Sequence, residues 1–160
     1  MTRMGLVTGG IAALVAGAAA WVVVADAQDV PDGLTFLGAP VTAEQIELGQ
    51  EVYAANCASC HGANLEGQPD WRRRNVNGRM PAPPHDASGH TWHHADRPLF
   101  TITKLGVGAV VPGYESDMPA FEGILSDDEI AAVLAFIKST WPERERGFQA
   151  EVTANDEGGS

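Results

Sequence analysis

Cys57-Ala58-Ser59-Cys60-His61 is the stretch whose reading decides the fold of this chain. It holds both of the cysteines in the sequence. A disulfide between thiols this close would constrain little of the unfolded chain. A redox-active dithiol of the same spacing belongs at a strand-to-helix junction, and no strand signal precedes Cys57. A third reading also accounts for the adjacent imidazole. Two thiols three positions apart, at the start of a helix, reach the two vinyl groups on one edge of a porphyrin, and the next side chain turns beneath the iron. The pattern is that of c-type haem attachment, with Cys57 and Cys60 as the covalent sites and His61 as an iron ligand.

The sequence on either side fits a helical domain wrapped around such a group. Thr42-Ala43-Glu44-Gln45 has the form of a capping box. Ile46, Gly49, Val52 and Tyr53 then recur at near-helical spacing, which predicts a helix over about 43–55. From 62 to 95 no period is sustained, and Gly, Pro, Asn and Asp recur throughout. A loop that long is not idle in a small domain, and a buried haem would replace the hydrophobic core it lacks. Asp96 reads as the cap of a short helix over 97–105 carrying Leu99, Phe100, Ile102 and Leu105, with Gly106 as its stop. A second loop, 106–125, contains Pro112, Gly113, Pro119 and Gly123. Ser126-Asp127-Asp128-Glu129 is another capping box, with acidic groups at the positive end of the helix dipole. Ile130, Val133, Leu134, Ile137 and Trp141 follow on one face, and Pro142 ends the run. No segment alternates as a strand would. The fold expected is all-α, with one haem at its centre.

The sixth iron ligand must come from elsewhere. Met118 stands in Ser116-Asp117-Met118-Pro119-Ala120-Phe121, where Pro119 fixes the loop. Its thioether is neutral and soft, favours ferrous iron and raises the reduction potential relative to a second histidine. Met80, in Gly78-Arg79-Met80-Pro81, is the weaker candidate, since the chain so soon after His61 should still be wrapping the proximal side. A solvent-ligated or histidine-ligated iron is the chemical alternative, and Met118 as a mere packing residue the bland one.

Taken together, residues 42–142 resemble a class I cytochrome c: a helix, the Cys57-to-His61 motif, a long loop, a short helix, the Met118-Pro119 loop, and a capped helix closing on Trp141-Pro142. Within that family, Pro83-Pro84-His85-Asp86 and Gly89-His90-Thr91-Trp92-His93-His94 look like a bacterial subgroup of small cytochromes. The resemblance implies that the first and last helices cross, with Gly49 allowing close approach to the face carrying Val133, Phe136 or Ile137 and with Tyr53 packed nearby. It implies that a proline carbonyl (of Pro81, Pro83 or Pro84) orients His61. It also implies haem-edge contacts: Tyr114 hydrogen-bonding near the Met118 sulfur, and Arg79 and Trp92 holding the propionates. The function implied is not catalysis but single-electron transfer on one covalent haem c, between a donor and an acceptor redox protein. The rival classes are a haem-based sensor or catalytic haem subunit with a labile sixth ligand, and a metal-binding protein.

The metal-binding alternative rests on His85, His90, His93 and His94, which lie within ten residues. Arg72, Arg73 and Arg74 form a basic cluster in an otherwise acidic chain, where the reading is a solvated loop or a dock for an acidic partner. With 21 acidic against 10 basic residues and a net charge of −11, the chain is not built for nucleic acid or for an anionic bilayer surface. At the N-terminus, Arg3 precedes an uncharged run over 4–25, and Ala25-Asp26-Ala27 offers a signal-peptidase site. Residues 1–27 therefore read as a signal peptide or an N-terminal membrane anchor, and the length of the run favours the anchor. Either one places the rest in the periplasm or at the outer face of the bacterial cytoplasmic membrane. Residues 28–41 read as an extended linker. Residues 143–160 read as a polar tail with one short helix and a disordered end over 153–160.

Overall fold

A helix entered at Thr42 and a helix entered at Ser126 cross at a glycine, and the rest of the described residues are arranged around that crossing. The computed structural model describes residues 30–159. The segment read as a signal peptide or anchor lies outside the described residues. The first helix, α1 (Ala43–Asn56), is capped by the Thr42 hydroxyl, which accepts from the Gln45 amide at 3.2 Å. Its inward face carries Ile46, Gly49, Val52 and Tyr53, the residues that the sequence spacing singles out. The four-residue helix α2 (Ala58–His61) follows at once, with Cys57 at the joint. After the long loop come α3 (Asp96–Leu105), stopped at Gly106 with φ +83°, and α4 (Asp127–Ser139). Ser126 and Glu129 make both halves of the capping box on α4: the Ser126 hydroxyl accepts from the Glu129 amide, and the Glu129 carboxylate accepts from the Ser126 amide.

At the crossing, a Cβ on Gly49 would sit 2.1 Å from the Ala132 carbonyl oxygen and 2.7 Å from the Phe136 Cβ. The helix backbones therefore meet at Ala132 and Phe136. Val133 and Ile137 are buried beside that contact, with Ile130 and Leu134. Trp141, only 2% exposed, closes the end of α4 and donates from Nε1 to the His85 carbonyl at 2.7 Å. That bond ties the long loop to the core.

Three readings are corrected. Within the stretch read as an extended linker over 28–41, the described residues are not simply extended: β1 (Thr35–Phe36) pairs antiparallel with β2 (Ala39–Pro40), Thr35 facing Pro40. Leu34, Phe36 and Val41 are buried in the core. The turn places Leu37 (φ +50°) and Gly38 (φ +78°) both in the left-handed region, the backbone of a type I′ hairpin. Two-residue strands are too short for alternation to register. The chain after Pro142 is also more ordered than its polar composition suggests: α5 (Glu143–Gly158) runs unbroken over 153–158 of the stretch read as disordered. It docks through the buried polar residue Gln149 rather than an apolar stripe, so hydrophobic periodicity suggests a short helix there but not its full length. Asp96, finally, does not cap α3. It lies in the first turn, after Ala95, with its carboxylate turned inward.

Candidate haem site

The long loop earns its length by returning to the end of α2. The His61 carbonyl accepts from the Gly67 amide at 2.7 Å, and the Leu65 carbonyl from the His85 amide at 2.8 Å. Gln68 and Ala82 pair with one another and close off an excursion between them. The backbone around Pro84 is confined on two sides. A Cβ on Gly67 would stand 2.4 Å from the Pro84 nitrogen, and one on Gly89 would stand 2.0 Å from the Pro84 oxygen. Pro83 is thereby delivered to His61, whose Nδ1 lies 2.8 Å from its carbonyl oxygen. Of the three prolines read as candidates, Pro81, Pro83 and Pro84, the structure selects Pro83.

That bond fixes the tautomer. A carbonyl can only accept, so Nδ1 carries the proton and Nε2 keeps the lone pair that a metal needs. Burial draws the His61 imidazole below its ordinary value, with the Pro83 bond opposing, which keeps the ring in the neutral form of a ligand. His61 as a residue is 6% exposed. Beside it, the Tyr53 hydroxyl donates to the Gly62 carbonyl at 2.8 Å and pins α1 to the end of α2. Burial, with Cys57 nearby, holds that phenol above its usual range.

The thiols argue against dithiol redox chemistry. Burial, and then the proximity of Cys60, pushes the Cys57 thiol up to about 11. A redox dithiol instead needs an attacking thiol that is ionised near ambient pH. Cys57 is half-buried against the core and Cys60 exposed.

Met118 sits on a loop fastened at both ends. Its amide donates to the Ser116 hydroxyl at 3.0 Å. The Phe121 and Glu122 amides donate to the Thr103 and Lys104 carbonyls at the end of α3. Lys104 in turn reaches Asp127 at the start of α4, 2.7 Å away. Met118 packs half-buried on the same core cluster as Cys57, Trp92 and Phe100. Met80 is also half-buried but is not among the residues packed on that cluster.

The residues read as haem-edge contacts are placed differently from one another. The Trp92 Nε1 is buried with no partner among the described residues, while its ring packs edge-on against Phe148 at 5.4 Å. A buried N–H without an acceptor is costly, so this one fits a site that awaits an anionic group such as a propionate. Arg79 pairs with Asp117, the neighbour of Met118. Tyr114 is half-buried, with the Arg74 guanidinium over its ring at 5.8 Å.

The four histidines of the long loop separate. His85 stacks on His61; His90 stacks on Trp71 and meets His94 edge-on; His93 packs on Trp92. Among the described residues no three His, Cys, Asp or Glu side chains gather as a bound metal ion would require. The position of His85 against the His61 ring is not signalled by the sequence, where it reads as one histidine among four.

A helical frame, two thiols at the joint of α1 and α2, and a neutral imidazole held by a proline carbonyl define a c-type haem protein. Comparison with known proteins agrees. The cytochrome c family model matches residues 46–141, and the chain belongs to that family. It carries haem c covalently at the Cys57 and Cys60 pair, and haem-based electron transfer is the function the family implies. It is similar to cytochrome c6 of Tetradesmus obliquus, 32% identical over 96 residues that are 58% of this chain and 86% of that protein. It is also similar to the CcoP subunit of the cbb3-type cytochrome c oxidase of Rhodobacter capsulatus, 28% identical over 107 residues, 66% of this chain and 33% of that subunit. A nitrite reductase of Stutzerimonas stutzeri is 26% identical over 122 residues, 68% of this chain and 20% of that enzyme. The chain thus spans about a third of the CcoP subunit and about a fifth of the nitrite reductase. No solved structure matches.

Proposed function

We propose that this protein is a single-electron carrier with His61 and Met118 as axial ligands of its one haem c. The observation that carries the reading is the His61 Nδ1 to Pro83 bond, which leaves Nε2 for iron. Bound haem supplies the ferrous–ferric couple. Cys57 and Cys60 hold it by addition of each S–H across a vinyl group, sulfur to one carbon and hydrogen to the other. His61 donates a lone pair from a ring whose protonation is settled in advance. Met118 offers a neutral sulfur that favours the ferrous state, and its loop is braced by α3 so that it need not move between oxidation states. Trp92 supplies an N–H for a propionate, and Arg79 and Tyr114 are further haem-edge contacts by resemblance.

The partners are a donor and an acceptor redox protein, met in the periplasm or at the outer face of the cytoplasmic membrane. Anchoring by the apolar run over 4–25 rests on its length; no helix among the described residues is long and apolar enough to cross a membrane.

The test is the spectrum of the oxidised holoprotein. A low-spin iron with a weak near-infrared sulfur-to-iron band is expected. Met118→Ala should abolish that band and open the ferrous iron to carbon monoxide, while Met80→Ala should leave it. Ready binding of carbon monoxide by the wild type, with no sulfur-to-iron band, would overturn the carrier reading in favour of a sensing or catalytic haem.

A further inference from the structure

We infer that His85 is a positioning residue for His61: the two rings are stacked, and His85 sets the plane in which the ligand imidazole lies. The inference rests on the reading of His61 as an axial ligand. The Pro83 bond fixes one edge of the His61 ring but leaves its plane free to tip about that edge. A flat ring on its face removes that freedom. The centroids of His61 and His85 are 3.9 Å apart, at an interplanar angle of 21°.

His85 is itself held firmly enough to act as a template. Its amide donates to Leu65, its carbonyl accepts from Trp141, and its Nδ1 lies 2.8 Å from the Thr91 hydroxyl. Tyr53 meets it edge-on, with centroids 6.4 Å apart. Pro84, between the two contact points, is the residue confined by Gly67 and Gly89. Pro83-Pro84-His85 is thus one rigid segment that touches the ligand at its edge and on its face. An aliphatic side chain at position 85 would fill the space without dictating a plane.

In a low-spin ferric haem the plane of the axial imidazole directs the unpaired spin within the porphyrin, and the order and spread of the four haem-methyl proton resonances report it. In the oxidised holoprotein, His85→Leu should reorder these resonances, and His85→Phe, which keeps a stackable ring, should restore the wild-type order. A structural effect alone would lower stability without this pattern. The inference is overturned by an unchanged order in His85→Leu, or by leucine and phenylalanine reordering the methyls alike. Should neither variant yield holoprotein, Thr91→Val, which frees the His85 ring but keeps it, must move the same resonances; an unmoved pattern overturns the inference. Wild-type spectra lacking hyperfine-shifted His61 ring protons would instead overturn the ligand assignment beneath it.

Discussion

Lys138 Nζ stands 3.0 Å from Asp96 Oδ1, with both side chains enclosed to within a few per cent. The same carboxylate accepts from Gln149 Nε2 at 2.7 Å and from the Leu37 amide at 2.9 Å. One side chain thereby joins the hairpin, α3, α4 and α5. Asp96→Ala strands a buried ammonium and should cost about 3–5 kcal/mol. Denaturant unfolding of the holoprotein measures this; a loss under about 1 kcal/mol would show that the pair is not closed to water.

Gly49→Ala tests the helix crossing. In an isolated helix alanine is better than glycine by about 1 kcal/mol. Here its Cβ would fall 2.1 Å from a backbone oxygen, which no rotamer relieves. Overpacking should win, with a net loss of about 1–3 kcal/mol by chemical denaturation. Net stabilisation would mean that α1 and α4 do not meet at this point.

The orphaned N–H of Trp92 makes a sharp case. With a propionate as its acceptor, Trp92→Phe in the holoprotein should cost about 1.5–3 kcal/mol, the worth of a hydrogen bond to a charged group. An N–H that stays unpartnered predicts the opposite sign, because phenylalanine then removes a buried liability.

Acid should loosen α4 through its cap. The Ser126 amide and hydroxyl hold the Glu129 carboxyl below its ordinary value of 4.5. The folded state therefore binds the proton less readily than the unfolded state. Its contribution is fully present above about pH 4.5 and is lost as pH falls through the lower folded value. Glu129→Gln should be less stable than wild type at neutral pH, and the two should converge in acid. A difference constant across that range would exclude the linkage.

Much of this was legible in the sequence because it is local. Cys57, Cys60 and His61 are contiguous, the caps at Thr42 and Ser126 are read over four residues, and Gly106 stops a helix at its own position. What lay hidden depends on residues far apart in the chain. Asp96 looks like a cap until Lys138 and Gln149 are brought to it, 42 and 53 residues away. His85 looks like one imidazole in a cluster until the loop folds back on His61. The choice of Pro83 over Pro81 and Pro84 is made by Gly67 and Gly89, which flank the segment in space. The sequence suggests only a short helix after Pro142, and the full length of α5 is hidden because polar side chains seat it.

The four-way junction at Asp96 has a consequence for how the molecule comes apart. Leu37 precedes the family-matched segment, Gln149 follows it, and one carboxylate holds both. Peeling off either flank withdraws a bond from a buried charge and weakens the grip on the other. The outermost pieces of the described chain are therefore cooperative with its centre, and fraying at one margin is felt at the opposite one.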